Sequence, residues 1–238
     1  MYEKIYKVPS FLCHKGKLLI NYLVNLCLMT SDCEFEEKGH SYQDIIYEKN
    51  LTWIIYKWKI DFNREIKENE IIKVKTWPSG FDKIYSYREF ACYDKNEKLL
   101  FKATAVFLLI DIKNKKPVRL GKDIIDLYDI YEKRNFSEIE RIDPVKDIKK
   151  LASFDVRKSD IDYNKHVNNS VYFSWIFDAI PEEILENKFI SDINLIYNKE
   201  IKKGETVEIY SNDTYSYFEI KTENTNSKAS LKFKCLNN

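Results

Sequence analysis

The spacing of apolar residues in the first half of the chain predicts one long helix followed by strands. Apolar side chains recur at helical intervals from Leu19 to Thr30, and the other faces of this segment are apolar too, so we expect a largely buried helix. A short strand is predicted before it, at residues 2–8. After residue 50, alternating and aromatic-rich runs are separated by short turns, one of them at residues 78–80. They predict antiparallel strands at residues 51–60, 70–77, 84–93 and 99–110.

The second half of the chain repeats this order of elements. A strand is predicted at residues 152–156, and a helix from Asn168 to Ile180 that Pro181 ends. Further strands are predicted at residues 190–198, 206–212, 215–222 and 229–235. The charged segment between the halves has little strand pattern, and residues 123–132 are its best helical piece. We therefore expect an α+β fold with domains at residues 1–112 and 151–238 and a connector at residues 113–150.

Composition indicates a globular chain and gives no support for a nucleic-acid or membrane partner. The 238 residues are 44% hydrophobic and 32% charged, and 39 basic against 38 acidic side chains leave a net charge of +1. No apolar run approaches the ~18 residues of a membrane span. The first residues resemble neither a signal peptide nor a transit peptide, so we expect a cytoplasmic protein.

The cysteines and histidines do not form a metal-binding pattern. The chain has five cysteines without a CxxC pair, and three histidines. Reduced thiols are the simplest interpretation of an odd number of cysteines in a cytoplasmic chain. We expect neither a metal nor a cofactor.

A polar segment before the second helix carries the candidate chemistry. Asp162, Asn164 and His166 occupy alternate positions, so in an extended backbone their side chains would share one face. They would lie at the N-terminus of the helix that starts near Asn168. A carboxylate, an amide and an imidazole there could do acid–base work on a carbonyl. Asp162 and Asn164 could equally be turn and capping residues.

This segment and several shorter ones resemble the acyl-acyl carrier protein (acyl-ACP) thioesterases, a family found in plants and bacteria. The resemblance covers nearly the whole chain, and the string from Asp160 to Asn169 is its most specific part. It implies two tandem hotdog domains, each a curled antiparallel sheet around a central helix. The shorter matches lie at Trp53, residues 74–78, 88–90 and 111–119, Tyr172, Trp175 and residues 196–200.

The resemblance implies hydrolysis of fatty acyl-ACP to free fatty acid and ACP. It places catalytic roles on four residues, namely Asp162, Asn164, His166 and Glu200. It also places the acyl chain in the first half, where Trp53 is a candidate substrate-binding residue. Plant members commonly carry a cysteine directly after that glutamate, whereas this chain has Ile201. We therefore expect a carboxylate to drive the reaction, and either Asp162 or Glu200 could supply it.

Several alternatives stay open at this point. Glu200 lies in a charged stretch and could be a solvated surface residue, and Trp53 could be an ordinary core residue. An acyl-CoA thioesterase and a non-catalytic acyl-ACP-binding protein are the alternative functions. The carrier protein is acidic, so the resemblance implies a local basic patch near the entrance of the site. Homodimers are common for such folds, and neither oligomeric state nor acyl chain length follows from the sequence.

Overall fold

The chain folds into one long antiparallel sheet that encloses two central helices. The computed structural model describes residues 1–163 and 165–236, with the backbone alone for residues 42–44. The helices are α1 (Ile20–Glu37), α2 (Tyr42–Lys49), α3 (Lys122–Ile125), α4 (Asn169–Ala179) and α5 (Glu182–Asn187). The strands of the first half and the connector are β1 (Tyr2–Lys7), β2 (Cys13–His14), β3 (Lys17–Leu18), β4 (Leu51–Phe62), β5 (Ile71–Asp82), β6 (Tyr85–Asp94), β7 (Leu99–Asp111) and β8 (Lys116–Pro117). Those of the second half are β9 (Lys149–Asp155), β10 (Lys188–Tyr197), β11 (Thr206–Ser211), β12 (Tyr217–Lys221) and β13 (Thr225–Cys235).

The two halves share a single sheet, and β4 and β10 form the seam between them. The strand order is β1-β5-β6-β7-β4-β10-β13-β12-β11-β9, with β8 paired to β7. At the seam Ile193 pairs with Ile60, and Leu195 pairs with Trp58. The sheet is therefore continuous across the expected domains.

The core lies where the two central helices meet inside this sheet. Helix α1 packs against β1 and β5, α4 packs against β9 and β11, and the two helices contact each other. Leu23 and Cys27 of α1 belong to the same buried cluster as Trp175 and Ile176 of α4. Each half is thus a curled sheet around a central helix, which confirms the α+β tandem-hotdog prediction. No helix within the described residues is long and apolar enough to cross a membrane.

Some local predictions were wrong for physical reasons. The expected turn at residues 78–80 is part of β5, which continues to Asp82 with a register shift between Pro78 and Gly80. The pairing with β1 reaches only as far as Thr76, which faces Tyr2, the first residue of β1. Pro78 lies beyond this pairing, so its missing N–H breaks no hydrogen bond to β1. Helix α1 extends seven residues beyond Thr30 to Glu37, and α2 was not predicted.

The connector folds against the first half rather than standing apart from it. Its predicted helix at residues 123–132 is only the short α3, from Lys122 to Ile125. Further on, the Asn135 amide donates hydrogen bonds to the carbonyls of Phe90 and Ala103, at 2.9 and 2.8 Å. The connector thereby covers the outer face of the first-half sheet, and the division at residues 112 and 150 stays a prediction.

Candidate active site

The segment before α4 forms a tight turn rather than an extended strand. The Asp162 N–H donates to the His166 carbonyl at 2.8 Å, and the Lys165 N–H donates to the Asp162 carbonyl at 3.1 Å. Lys165 takes a left-handed conformation, with φ of 67°, that closes the turn. Asn164 lies outside the described residues. Asp162 and His166 are therefore brought together by turn geometry, and not by the alternation on which the sequence prediction relied.

One oxygen of Asp162 helps to hold this turn. Its Oδ1 accepts a hydrogen bond from the His166 backbone N–H at 3.2 Å. This is the turn role that the plainer interpretation gave to Asp162. The carboxylate has a second oxygen, and the side chain also lines a cavity described below. A structural and a chemical role are therefore compatible at this position.

A buried carboxylate that the sequence analysis did not single out anchors the turn. Asp160 is buried, accepts from the Arg157 backbone N–H at 2.8 Å and pairs with the Arg157 guanidinium at 3.1 Å. Its carbonyl accepts from the Asn168 N–H at 2.8 Å. Ile161 and Val167 pair across the base of the turn. In the sequence, Asp160 could have been recognised by its position at the start of the string that resembles the family.

Asn168 is the N-cap of α4. Its Oδ1 accepts hydrogen bonds from the backbone N–H and the hydroxyl of Ser170, both at 2.9 Å. Asn169 is the first helical residue, and both asparagines line the same cavity as Asp162. The free N–H groups at a helix N-terminus favour negative charge nearby.

Glu200 reaches the turn from the far end of β10. Beyond that strand, the N–H groups of Asn198 and Lys199 donate to the Asn226 carbonyl, at 2.8 and 3.1 Å. The chain then runs beside the turn, because the Val167 N–H donates to the Ile201 carbonyl at 2.9 Å. Two sequence-distant segments are thus held in register next to each other.

The result is a direct contact between two of the predicted site residues. His166 Nε2 lies 2.9 Å from Glu200 Oε2, with side-chain exposures of 31% and 56%. The proximity that the sequence prediction required for this pair is therefore present. Ile201, at the position where plant members commonly carry cysteine, is fully buried in the core.

A buried tyrosine, Tyr172, packs against the partly buried Tyr197 close enough to Glu200 to feel its charge. The rings of Tyr172 and Tyr197 meet edge to face with centroids 5.0 Å apart, and the Tyr197 hydroxyl donates to the Asn169 carbonyl at 2.8 Å. Burial, and next the negative charge of Glu200, raise the pKa of the Tyr172 phenol well above its usual range. Both causes keep this phenol neutral and leave titration near neutral pH to other groups.

A cavity of about 380 Å³ joins the turn to the first half of the chain. Asp162, Asn168 and Asn169 line it from the second half, and Trp53, Ile55 and Phe107 line it from the first. The Trp53 indole packs edge-on to Phe107, with ring centroids 6.4 Å apart, and its buried Nε1 has no hydrogen-bond partner among the described residues. The structure thus brings Trp53 and Asp162 to one cavity.

Models of the two domains of one protein family match nearly the whole chain. The acyl-ACP thioesterase N-terminal domain matches residues 1–128, and the acyl-ACP thioesterase C-terminal domain matches residues 144–238. The unmatched residues between them, 129–143, lie within the connector.

Curated relatives include plant chloroplast enzymes. An oleoyl-acyl carrier protein thioesterase of Coriandrum sativum is 20% identical over 186 residues, which cover 73% of this chain and 50% of the relative. A palmitoyl-acyl carrier protein thioesterase of Cuphea hookeriana is 30% identical over 180 residues, which cover 68% of this chain and 41% of the relative. The chain thus spans about half the length of the curated relatives it matches.

Solved structures share the fold over almost their full length. An acyl-ACP thioesterase from Bacteroides thetaiotaomicron superimposes with a TM-score of 0.88 at 24% identity, covering 98% of this chain and 97% of that one. The 12:0-ACP thioesterase from Umbellularia californica gives a TM-score of 0.85 at 17% identity, covering 99% and 97%. At these identities the likeness establishes the tandem-hotdog architecture.

Proposed function

This chain belongs to the acyl-ACP thioesterase family, and from that premise we propose that it hydrolyses the thioester of fatty acyl-ACP, releasing free fatty acid and ACP. The observation that carries the proposal is the junction of two features. A His166–Glu200 pair at 2.9 Å stands beside a carboxylate, Asp162, that opens onto a cavity whose first-half wall includes Trp53, Ile55 and Phe107. An acyl chain in that cavity would present its carbonyl to Asp162.

Asp162 is the carboxylate that acts on the carbonyl. Two carboxylates are candidates for this role. Asp162 lines the cavity of about 380 Å³, which we call the acyl cavity, and Glu200 does not. Asp162 takes a proton from a water molecule as the water oxygen attacks the thioester carbon. The amide of Asn164 would help to hold that water or the carbonyl, as the family resemblance implies.

His166 serves the leaving group, and Glu200 positions His166. The imidazolium gives its proton to the sulfur as the carbon–sulfur bond breaks, so that ACP leaves as a thiol. The proton gained by Asp162 then restores the imidazolium, which completes the addition of one water across the thioester. Glu200 fixes the ring and stabilises its charged form through the contact at Nε2. The N-terminus of α4 favours the negative oxygen of the tetrahedral intermediate, and such a donor is worth on the order of 3 kcal/mol.

The carrier protein approaches the site from the outer side of the His166–Glu200 pair. Four exposed lysines flank this pair in sequence, and their positive charges would attract an acidic carrier protein. They are Lys165, Lys199, Lys202 and Lys203. Attraction between exposed charges is screened by salt, so the KM for acyl-ACP should rise with ionic strength.

The test is hydrolysis of an acyl-ACP panel of varied chain length with acyl-CoA controls. We expect turnover of at least one acyl-ACP and weaker turnover of the matching acyl-CoA. Equal or better hydrolysis of acyl-CoA would favour the CoA alternative. Binding of acyl-ACP without turnover across the panel would favour a non-catalytic binding protein.

A further inference from the structure

The cavity that joins the two halves has charged side chains next to the apolar residues of its first-half wall, which include Trp53, Ile55 and Phe107. Arg88 of β6 lines it, and its guanidinium forms a salt bridge with Glu34 of α1, with both side chains buried. Asp32 lies on α1, one turn before Glu36, and also lines the cavity. Asp32 has no hydrogen-bond partner among the described residues, so its carboxylate depends on water in the cavity.

The order of strands shows how far this charged wall lies from the turn. Ile55, Phe107 and Ser86 stand in register across β4, β7 and β6, and all three line the cavity. The turn reaches the cavity from the β4 side, because the second half joins the sheet at β4 and because the Tyr163 hydroxyl meets Tyr47 of α2, which packs on β4. Strands lie roughly 4.8 Å apart, so β6 is roughly 10 Å beyond β4. An acyl chain entering at Asp162 would pass Trp53 before it approached Arg88.

A hydrocarbon chain gains nothing by reaching this wall. Its methyl end would displace water from Asp32 and Arg88 without replacing the lost hydrogen bonds, which is unfavourable for charged groups. Burial, reinforced by the nearby charge of Glu36 and opposed by Arg88, already raises the pKa of the Asp32 carboxyl to about 6. The Asp32 side chain is still exposed to the cavity, so an arriving chain would remove the water that hydrates its carboxylate.

We propose that Asp32 and the Arg88–Glu34 pair set the upper length limit of the acyl chain. The preferred substrates are unsubstituted acyl chains whose methyl end stops between Phe107 and the charged wall. This inference rests on the proposed acyl-ACP hydrolysis and adds to it a specificity determinant at the far end of the cavity.

The test compares chain-length selectivity across charge-neutralising variants. Asp32→Leu removes the unpaired charge, and Arg88→Met with Glu34→Leu removes both members of the pair, so that neither is left buried without the other. The readout is the ratio of kcat/KM for an acyl-ACP four carbons longer than the wild-type optimum to that for the optimum. Each additional buried methylene is worth about fourfold, so the ratio should rise at least about tenfold in both variants.

A matched control separates this effect from a general response to losing a buried ion pair. Lys59 and Asp192, with Nζ and Oδ2 2.6 Å apart, form another largely buried pair, and neither lines the acyl cavity. Lys59→Met with Asp192→Leu should keep the wild-type ratio.

Selectivity ratios within about twofold of wild type in both cavity variants would overturn the proposal. If the Arg88–Glu34 variant does not fold, Asp32→Leu decides alone, because Asp32 is accessible from the cavity. If the wild-type protein hydrolyses no acyl-ACP, the proposed function fails separately. The length limit is then measured with free fatty acids of the same lengths. The criterion is the affinity for the longer acid relative to that for the shorter one, which should rise at least about tenfold in both variants.

Discussion

The two halves of the molecule share one plan and differ at the start of the central helix. Helix α1 has 18 residues, and its N-cap residue Leu19 makes no side-chain capping bond. Helix α4 has 11 residues, and Asn168 caps it directly after a polar turn. The longer helix supplies wall for a cavity, and the shorter one leaves room at its N-terminus for polar side chains. The same architecture thus lines a cavity with α1 in one half and places a polar turn before α4 in the other.

A second comparison isolates what the candidate chemistry requires. Two histidine–glutamate pairs can be compared: His14 of the first half lies 3.2 Å from Glu182 of the second half, and His166 lies 2.9 Å from Glu200 within the second half. Glu182 also pairs with Lys15 at 2.5 Å, so its charge is shared. The other difference is the turn, which places Asp162 beside His166 at the mouth of the acyl cavity. A histidine–glutamate contact alone therefore does not define the site.

The largest expected effect tests this comparison of the two histidines. His166→Ala should lower kcat for acyl-ACP at least ~100-fold, the usual scale for loss of a general acid–base group. His14→Ala removes a similar contact outside the site and should leave kcat within a few-fold of wild type. Steady-state kinetics of both variants decide the matter, and near-normal turnover by His166→Ala would remove His166 from the mechanism.

Glu200→Gln sharpens the comparison by removing charge while keeping size. We expect kcat to fall roughly 10- to 100-fold, because the glutamine cannot stabilise an imidazolium as the carboxylate does. If Glu200 acts through His166, the same substitution in the His166→Ala background should cost almost nothing more. Additive losses in the double variant would show instead that Glu200 acts on the substrate independently.

Trp53→Ala tests the binding side of the comparison. Removing the indole takes apolar contact from the acyl chain, so kcat/KM should fall about tenfold, mainly through KM. Trp53→Phe keeps an aromatic wall and should recover most of the loss. A fall in kcat with unchanged KM would place Trp53 in the chemical step and weaken the division between the halves.

The sequence could predict those features that depend on neighbours along the chain. Both central helices followed from apolar spacing, and the string from Asp160 to Asn169 identified the turn, because these signals are local. The contact between His166 and Glu200 was expected from family resemblance and not from spacing. It forms only because β10 and the segment after it bring residues 34 positions apart into register.

Other features depend on tertiary geometry that local patterns do not encode. The left-handed residue Lys165 tightens the turn, so the side chains do not alternate as they would in an extended backbone. Pro78 continues a strand because it lies beyond the residues of β5 that pair with β1. The charged wall joins Arg88 to Glu34 across 54 residues of sequence. A strand pattern could place Arg88 on the inner face, but no spacing rule could pair it with α1.

A smaller effect concerns the stability of the first half as a function of pH. The pKa of Asp32 is about 6 in the folded protein against 3.8 for an ordinary aspartate, so its ionisation opposes folding. Asp32→Asn should therefore raise Tm above pH 6, with the gain shrinking between pH 6 and 3.8 as wild-type Asp32 becomes protonated in both states. Thermal unfolding across this range measures it. A gain that grows as pH falls would have the wrong sign for this explanation.

The smallest expected effect is that of thiol alkylation, which should leave activity intact. Ile201 stands at the plant cysteine position and is fully buried, and no cysteine of the described residues lines the acyl cavity. Burial raises the pKa of the Cys27 and Cys92 thiols well above the usual range, which suppresses the reactive thiolate. Iodoacetamide should therefore modify the exposed Cys235 first, as mass spectrometry can show, without loss of turnover. Inactivation in step with modification of a single cysteine, abolished by its replacement with serine, would return the nucleophile to a thiol and overturn the carboxylate mechanism.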